Sequence, residues 1–219
     1  MKTDIVFVHT SPVHVETFEQ LVRAEAPETT TKHVVVEQLL CDAQATSADD
    51  PDLISRIHRA MIDAASDGAS VVVCTCSTIG GAAEHAPTGG KFRAMRVDRP
   101  MADLAVTSGA RILLVAALES TLAPTTRLLQ ESADALGRNV EIRSLLVRDA
   151  WMHFERGDRD AYVRTVAEAV RQAVDSIDVV ILAQASMANA SELLADLGVP
   201  VLASPRLGMR AAIEAARTR

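Results

Sequence analysis

Two stretches of the chain, VVVCTCSTIGG at residues 71–81 and VVILAQASMAN at residues 179–189, share one pattern at an offset of 108 positions. In each, an apolar run gives way to small and hydroxylated residues. This is typical of a buried parallel strand that leads into a turn and a helix. A chain that builds the same strand end twice is expected to hold a site between its halves, with a thiol on one side and an amide on the other. The alignment pairs Cys76 with Gln184, Ser77 with Ala185 and Thr78 with Ser186.

The rest of the chain keeps nearly the same register. Residues 5–8 (IVFV) are echoed by residues 112–115 (ILLV) at an offset of 107, and the Leu pair at 39–40 by the Leu pair at 145–146 at an offset of 106. Strands that alternate with helices favour right-handed βαβ units and parallel sheets. Any two α/β halves share such a rhythm, but the agreement of three landmarks favours a true duplication.

Periodicity and turn residues predict eight strands and eight helices. The predicted strands are 4–9, 33–38, 70–75, 93–97, 111–116, 139–146, 178–183 and 199–203; the predicted helices are 13–25, 51–67, 78–86, 101–108, 121–136, 158–176, 187–196 and 207–217. Asp50-Pro51 and Ser120 resemble helix starts, because such residues cap free N–H groups or suit the first turn. Gly68, Gly109 and Gly137 follow helical stretches and are expected to end them in the left-handed conformation.

Composition narrows the class of protein. The chain has 219 residues, of which 48% are hydrophobic, so it can bury a core as one domain or two small ones. A net charge of −7 and few aromatic residues oppose nucleic-acid binding. We find no membrane-spanning run and no signal-peptide pattern. Three Cys suit a reducing compartment better than a disulfide scaffold, so we expect a soluble, cytoplasmic, acidic α/β protein.

Cys76 is the leading candidate for a reactive group. It is expected at the end of a strand and just before a helix that Ser77 or Thr78 would cap, where ligands bind in open α/β sheets. Free N–H groups there would lower the pKa of the thiol and make it a nucleophile or a proton acceptor. The alternative is that Cys76 is a small buried hydrophobe, the fate expected of Cys74 and Cys41. No second Cys pair or nearby His completes a metal site.

The turns after the first strand of each half supply further polar candidates. His9-Thr10-Ser11 follows one, and Glu119-Ser120-Thr121 follows the other. Hydroxyls and backbone N–H groups at such turns suit a carboxylate ligand, although Ser120 and Thr121 can equally serve as helix caps. His9 is either an acid/base group or a structural residue beside an apolar strand. Neither a phosphate-binding loop nor a Gly-x-Ser-x-Gly elbow is present.

These residues resemble the aspartate/glutamate/hydantoin racemase superfamily. Thr75-Cys76-Ser77-Thr78 is similar to its first motif, Cys-Asn-Thr or Cys-Ser-Thr after an apolar strand. Residues 182–188 (LAQASMA) are similar to its second motif, typically Leu-Gly-Cys followed by small residues. His9-Thr10 falls where glutamate racemases carry Asp-Ser, and residues 96–101 (RVDRPM) resemble the link between the family's lobes.

The resemblance implies two similar Rossmann-like α/β lobes, each a roughly four-stranded parallel sheet, related by a pseudo-twofold duplication with the site between them. The first lobe would span residues 1–98 together with the C-terminal helix at 206–219, and the second residues 99–205. The resemblance also implies an enzyme that uses neither cofactor nor metal and acts on a small carboxylate or amino acid. It further implies a homodimer. One cysteine removes a proton from the α-carbon and a second returns one to the other face.

This chain departs from the family at the second cysteine, where Gln184 stands. An amide cannot carry a proton at neutral pH, so ordinary two-base racemisation is in doubt. Three hypotheses follow. The first is a racemase-like isomerase with Cys76 as acid/base and His9 as a second base. The second is a one-cysteine lyase, such as a decarboxylase of a malonate-like acid. The third is a non-catalytic protein that binds a small carboxylate through Thr10, Ser11, Ser77, Thr78, Ser120, Thr121, Ala185 and Ser186.

Overall fold

The computed structural model describes residues 3–218, which divide into two compact units. The first unit contains residues 3–98 and 205–218, and the second contains residues 99–204. Each unit is built on a parallel four-stranded sheet with helices around it, which confirms the expected α/β fold class. Within residues 3–218, no helix is both long enough and apolar enough to span a bilayer.

The first unit alternates strands and helices from its first residues. Its strands are β1 (Ile5–His9), β2 (Thr31–Val35), β3 (Val71–Cys74) and β4 (Arg93–Arg96). Its helices before the second unit are α1 (Val13–Glu25), α2 (Gln38–Ala45), α3 (Pro51–Ala64) and α4 (Gly80–Glu84).

The second unit repeats this alternation. Its strands are β5 (Arg111–Ala116), β6 (Glu141–Leu146), β7 (Val179–Leu182) and β8 (Val201–Ala203). Its helices are α5 (Arg99–Ser108), α6 (Glu119–Ala135), α7 (Arg148–Glu155), α8 (Arg159–Ala173) and α9 (Ala190–Leu193), with a 3₁₀ turn at Ala185–Met187.

The strand order is the same in both sheets, β2-β1-β3-β4 in the first and β6-β5-β7-β8 in the second, and every pair is parallel. Because parallel strands all end at one edge, the segments after β1 and β3 lie side by side, as do those after β5 and β7. The central strands are buried on both faces, as their unbroken apolar runs require.

The last helix, α10 (Ser204–Arg217), returns to the first unit. Its apolar face packs against β1, β3 and α1 in one core, which includes Ile5, Phe7, Phe18, Val22, Val71, Val73, Met209, Ala212 and Ile213. A second core covers the opposite face of the same sheet and includes Val6, Leu53, Ile57, Met61 and Val72.

All eight predicted strands are present, but several local predictions were wrong. Two helices, α2 and α7, were not expected. Ser120 does not cap α6, because the helix begins one residue earlier, at Glu119. Gly109 does not have a positive φ, so it does not end α5 in the left-handed conformation. Its missing Cβ instead leaves room for the side chain of Asp178, whose own Cβ would lie 2.3 Å from one at Gly109.

Other local predictions are confirmed. The side chain of Asp50 accepts a hydrogen bond from the backbone N–H of Leu53 at 2.9 Å, with Pro51 at the first position of α3. Gly68 and Gly137 have φ values of 83° and 61°, the left-handed conformation expected after α3 and α6.

Candidate active site

Cys76 lies in the turn between β3 and α4 and is half-buried. Its thiol receives a hydrogen bond from the hydroxyl of Thr10 and is reached by the backbone N–H groups of Thr78 and Ile79. Parallel pairing of β1 with β3 brings the two turns together, since Thr75 pairs with Val8 through its backbone N–H at 3.0 Å. The segment after β1 therefore contributes directly to the surroundings of the thiol.

The expected capping of α4 was wrong. Ile79, not Ser77 or Thr78, occupies the position before the first helical residue, and it makes no side-chain cap. Ser77 and Thr78 are buried within the turn itself, 5% and 3% exposed. The N–H groups that surround the Cys76 sulfur come from this turn and not from a long helix.

The predicted lowering of the Cys76 pKa was also wrong. Burial raises the pKa of this thiol above its ordinary value, and the nearby carboxylate of Asp98 acts in the same direction. The hydroxyl of Thr10 and the N–H groups of the turn oppose this rise without overcoming it. The resting form at neutral pH is therefore the thiol, which can donate a proton, and the thiolate it leaves would meet three hydrogen-bond donors.

The other two cysteines lie in unlike surroundings. Cys74 is 1% exposed, and its thiol donates to the carbonyl of Cys76 at 3.6 Å. Burial raises the pKa of Cys74 strongly, so it is the inert residue that was expected. Cys41 is exposed on α2, which corrects the expectation that it would be buried.

His9 is completely buried at the end of β1, and both of its ring nitrogens are engaged. Nδ1 lies 2.8 Å from the hydroxyl of Thr75, and Nε2 lies 2.9 Å from Nδ1 of His33. The Thr75 hydroxyl donates to the carbonyl of Val8 at 3.3 Å, so it accepts from His9 Nδ1–H, and His9 Nε2 then accepts from His33. This order assigns one tautomer to each ring.

Burial, reinforced by the nearby His33 and His14, lowers the pKa of His9 to about 3. The His9 ring is neutral, fully enclosed and bonded at both nitrogens, and it links the end of β1 to the middle of β2 and to the residue after β3. The geometry favours the structural interpretation of His9 over that of a second base. His9 is next in sequence to Thr10, whose hydroxyl donates to the Cys76 thiol.

The sequence analysis assigned no role to the charges of Arg96 and Asp98. Both residues lie at the end of residues 3–98, the main segment of the first unit. Their side chains are 2% and 1% exposed and form an ion pair at 2.7 Å. The signal was available, because two opposite charges at a spacing of two residues share one side of an extended segment. The Arg96 guanidinium also donates to the carbonyl of Ser77 at 3.4 Å.

In the second unit, Gln184 follows β7 and is 9% exposed. Its Oε1 accepts hydrogen bonds from the backbone N–H groups of Ala117 at 2.6 Å and Leu118 at 3.4 Å. Two N–H donors at the oxygen fix which way the amide points. The NH₂ group is consequently the end of Gln184 that remains to donate.

The second unit's other candidate residues differ in their surroundings. Ser120, in the first turn of α6, has a buried hydroxyl without a hydrogen-bond partner among residues 3–218. Thr121 is 1% exposed and Ala185 is 7% exposed. The Ser186 hydroxyl lies 2.8 Å from the phenol oxygen of Tyr162, a buried side chain whose pKa is raised by burial. Ser186 is thus held from α8 by a residue that sequence reasoning missed.

The internal repeat extends to these contacts. In the first unit, Cys76 after β3 meets Thr10 after β1. In the second, Gln184 after β7 meets Ala117 and Leu118 after β5, and Ala117 is 107 positions beyond Thr10. Ser11 is half-buried in the same turn as Thr10. Within the described residues, no group of three or more His, Cys, Asp or Glu side chains is arranged to hold a metal ion.

The family model for Asp/Glu/Hydantoin racemase matches residues 7–212. The chain belongs to this family. The resemblance inferred from the two strand-end motifs is therefore confirmed, and the match includes both Cys76 and Gln184. A search of curated proteins finds no match by sequence.

Solved structures of other racemase-family proteins share the fold at low sequence identity. Aspartate racemase from Picrophilus torridus is 15% identical with a TM-score of 0.71, covering 98% of this chain and 94% of its own. Allantoin racemase from Pseudomonas fluorescens is 18% identical with a TM-score of 0.60, covering 99% and 92%. A glycine-to-cysteine mutant of arylmalonate decarboxylase, in a sulfate-associated form, is 17% identical with a TM-score of 0.61, covering 98% and 93%.

These likenesses agree on a racemase-type enzyme fold and differ in the reaction that each neighbour's name gives. The fold therefore leaves the reaction open between racemisation and decarboxylation. The choice between these two reactions therefore depends on the residues at the strand ends of this chain.

Proposed function

We propose that the protein is a cofactor-independent enzyme that transfers a proton at the carbon next to the carboxylate of a small acid or amino acid, with Cys76 as the acid/base. The observation that carries the proposal is the Cys76 thiol itself, set in a turn where one hydroxyl and two backbone N–H groups reach its sulfur. Three donors around one sulfur stabilise the thiolate that forms when the proton leaves. A cysteine that only fills space would need none of them.

The raised pKa of Cys76 determines the direction in which its proton moves first. A thiol that is protonated at neutral pH acts as the acid, so it delivers a proton to the carbanion or enediolate that remains when carbon dioxide leaves. The sulfur keeps the electron pair of the S–H bond, and the thiolate is reprotonated before the next turnover. Exchange of an α-proton begins instead with the minor thiolate form, which takes the proton of the C–H bond and, after exchange with solvent, returns one to the same face. Among the three donors, the hydroxyl of Thr10 lowers the pKa of the Cys76 thiol most, and it comes from a different strand end.

Gln184 is proposed as a donor to a substrate oxygen and not as a base. Its oxygen is occupied by Ala117 and Leu118, which leaves the NH₂ group for an anionic oxygen such as that of a carboxylate or enediolate. A positioned acid or base contributes roughly 10²–10⁴ in rate, so a chain without the second cysteine should racemise poorly. We expect proton transfer to one face only.

The fixed amide of Gln184 favours a second candidate, a decarboxylase of a malonate-like acid. In that reaction the C–C bond to one carboxylate breaks, carbon dioxide leaves, and its bonding electrons form an enediolate on the remaining carboxylate. The Cys76 thiol then protonates the carbon, and the thiolate regains a proton from water. The reaction needs one acid and one oxyanion donor, which are the roles proposed for Cys76 and Gln184.

Deuterium exchange tests the proposal. The full chain is incubated in deuterated water with D- and L-aspartate, D- and L-glutamate, and phenylmalonate, and exchange, chirality and carbon dioxide are followed. Wild type is expected to exchange or decarboxylate at least one acid with retained or single-handed configuration, and Cys76→Ala is expected to lose this activity. Cys41→Ala, which alters an exposed cysteine, is the matched control.

Each outcome has a distinct meaning. Carbon dioxide release from phenylmalonate assigns the lyase, and exchange without it assigns the isomerase. Efficient formation of both enantiomers would overturn the one-sided role of Gln184. If Cys76→Ala keeps full activity, Cys76 is not the acid/base. If the protein binds an acid but leaves every acid unchanged, the non-catalytic hypothesis is supported instead.

A further inference from the structure

The ion pair between Arg96 and Asp98 is enclosed next to the Cys76 turn. Arg96 Nε donates to Asp98 Oδ1 at 2.7 Å, and Nη2 donates to Oδ2 at 3.0 Å. Both side chains are almost completely removed from water. A buried pair of this kind seldom adds net stability compared with apolar residues, so its presence needs another reason.

The guanidinium of Arg96 also contacts the turn on two sides. Its Nη2 donates to the carbonyl of Ser77 at 3.4 Å. A Cβ added at Gly80 would lie only 3.0 Å from Nε, so the start of α4 rests directly on the guanidinium plane. Ser77 and Gly80 bracket Thr78 and Ile79, whose N–H groups reach the Cys76 sulfur.

We propose that Arg96 and Asp98 are positioning residues, and that their ion pair fixes the carbonyl of Ser77 and the start of α4 so that the N–H groups of Thr78 and Ile79 stay directed at the Cys76 sulfur. The inference rests on the proposed function, since it takes Cys76 as the reacting group. Asp98 orients the fork of Arg96, and Arg96 in turn holds the turn. Neither residue touches the substrate in this scheme.

The pair has an electrostatic consequence that a purely structural role would lack. The carboxylate of Asp98 raises the pKa of the Cys76 thiol, whereas the guanidinium of Arg96 lowers the pKa of the neighbouring Cys74. The neighbouring Cys74 stays protonated, because burial raises its pKa further. Asp98→Asn removes this negative charge from the surroundings of the sulfur, and we expect the pKa of Cys76 to fall and its thiolate fraction at neutral pH to rise several-fold.

A second variant keeps the region neutral but removes the anchor. Arg96→Met with Asp98→Leu removes both charges of the pair together, and apolar replacements for a buried pair are often tolerated. Without the contact to Ser77, the N–H groups of the turn are no longer held at the sulfur. The double variant also removes the Asp98 charge, but each of the two N–H groups lowers the pKa of Cys76 by more than Asp98 raises it. We therefore expect a net rise, the opposite direction to Asp98→Asn.

The experiment measures the pH profile of Cys76 alkylation in the full chain. Iodoacetamide labelling is followed from neutral to alkaline pH in a Cys41→Ser background, and fragment ions distinguish Cys76 from Cys74. The midpoint should move to lower pH in Asp98→Asn and to higher pH in the double variant. Asp67→Asn, which breaks the exposed 2.5 Å ion pair with Lys32, is the control that should leave it unchanged.

A folded double variant with the wild-type midpoint would overturn the positioning role, and so would an unmoved midpoint in folded Asp98→Asn. If Asp98→Asn does not fold, the double variant alone decides. The labelling assay needs no substrate. It therefore tests the positioning role of the ion pair even if Cys76→Ala keeps its activity and the proposed function is wrong.

Discussion

The substitution Gln184→Glu distinguishes the role of the amide oxygen of Gln184 from that of its NH₂ group. The substitution keeps an oxygen at the position that accepts from Ala117 and Leu118, at 2.6 and 3.4 Å. It replaces the NH₂ group, the proposed donor to the substrate, by a second carboxylate oxygen. The fold should be retained and the binding of an anionic substrate lost.

The magnitude follows from two terms. A hydrogen bond to a charged group contributes about 1.5–3 kcal/mol, which corresponds to roughly a tenfold to hundredfold loss of affinity. Two like charges about 4 Å apart repel by roughly 4 kcal/mol at the effective dielectric constant near a protein surface. Together they amount to about 5.5–7 kcal/mol and predict a loss of affinity of roughly 10⁴-fold or more for a small carboxylate.

Calorimetric titration with the best acid from the exchange panel measures this loss, and thermal unfolding is recorded in parallel. Gln44→Glu introduces the same change on an exposed face of α2 and should bind like wild type. Gln184→Leu also removes the acceptor and should lower the free energy of unfolding by about 1–3 kcal/mol, because the N–H of Ala117 is left unpaired. Gln184→Glu that binds the acid as tightly as wild type would refute the proposed donor role.

Three further predictions concern the ionisable groups. In native protein at neutral pH, iodoacetamide should label the exposed Cys41 before Cys76, whose pKa is raised by burial; peptide mapping that shows Cys76 labelled first would contradict this direction. Activity that needs the Cys76 thiol as acid should be flat through neutral pH and decline only as alkaline pH removes its proton, whereas a rise through the thiol titration would identify the thiolate as the active form. His9 has a pKa of about 3 against an ordinary 6.5, so the unfolded chain binds its proton first and the stability from neutral His9 is lost as pH falls from 6.5 towards 3. Between pH 7 and pH 5, wild type should lose roughly 2 kcal/mol more than His9→Asn in denaturant unfolding, and equal losses would refute the pKa direction.

Much of the fold could be predicted because it depends on local patterns. The apolar runs at β1, β3, β5 and β7 are buried on both faces, and a parallel sheet produces this unbroken pattern. The two helices that were missed, α2 and α7, have only eight residues each, too few for a clear helical period. Their formation depends on packing against neighbours.

The order of residues along the chain was enough to predict which residues lie at the strand ends. The position of Cys76 after one buried run, and of Gln184 after its repeat, follows from the order of residues along the chain. The family could be recognised for the same reason, since its motifs are short and continuous.

The chemical properties of these residues depend on the folded arrangement. Burial, together with Asp98, reverses the expected direction of the Cys76 pKa, and this depends on atoms far apart in sequence. The tautomers of His9 and the orientation of the Gln184 amide are fixed by partners 24 to 67 residues away. Charge and hydrogen-bond energies depend on distance and desolvation in three dimensions, and a linear pattern of residues contains neither.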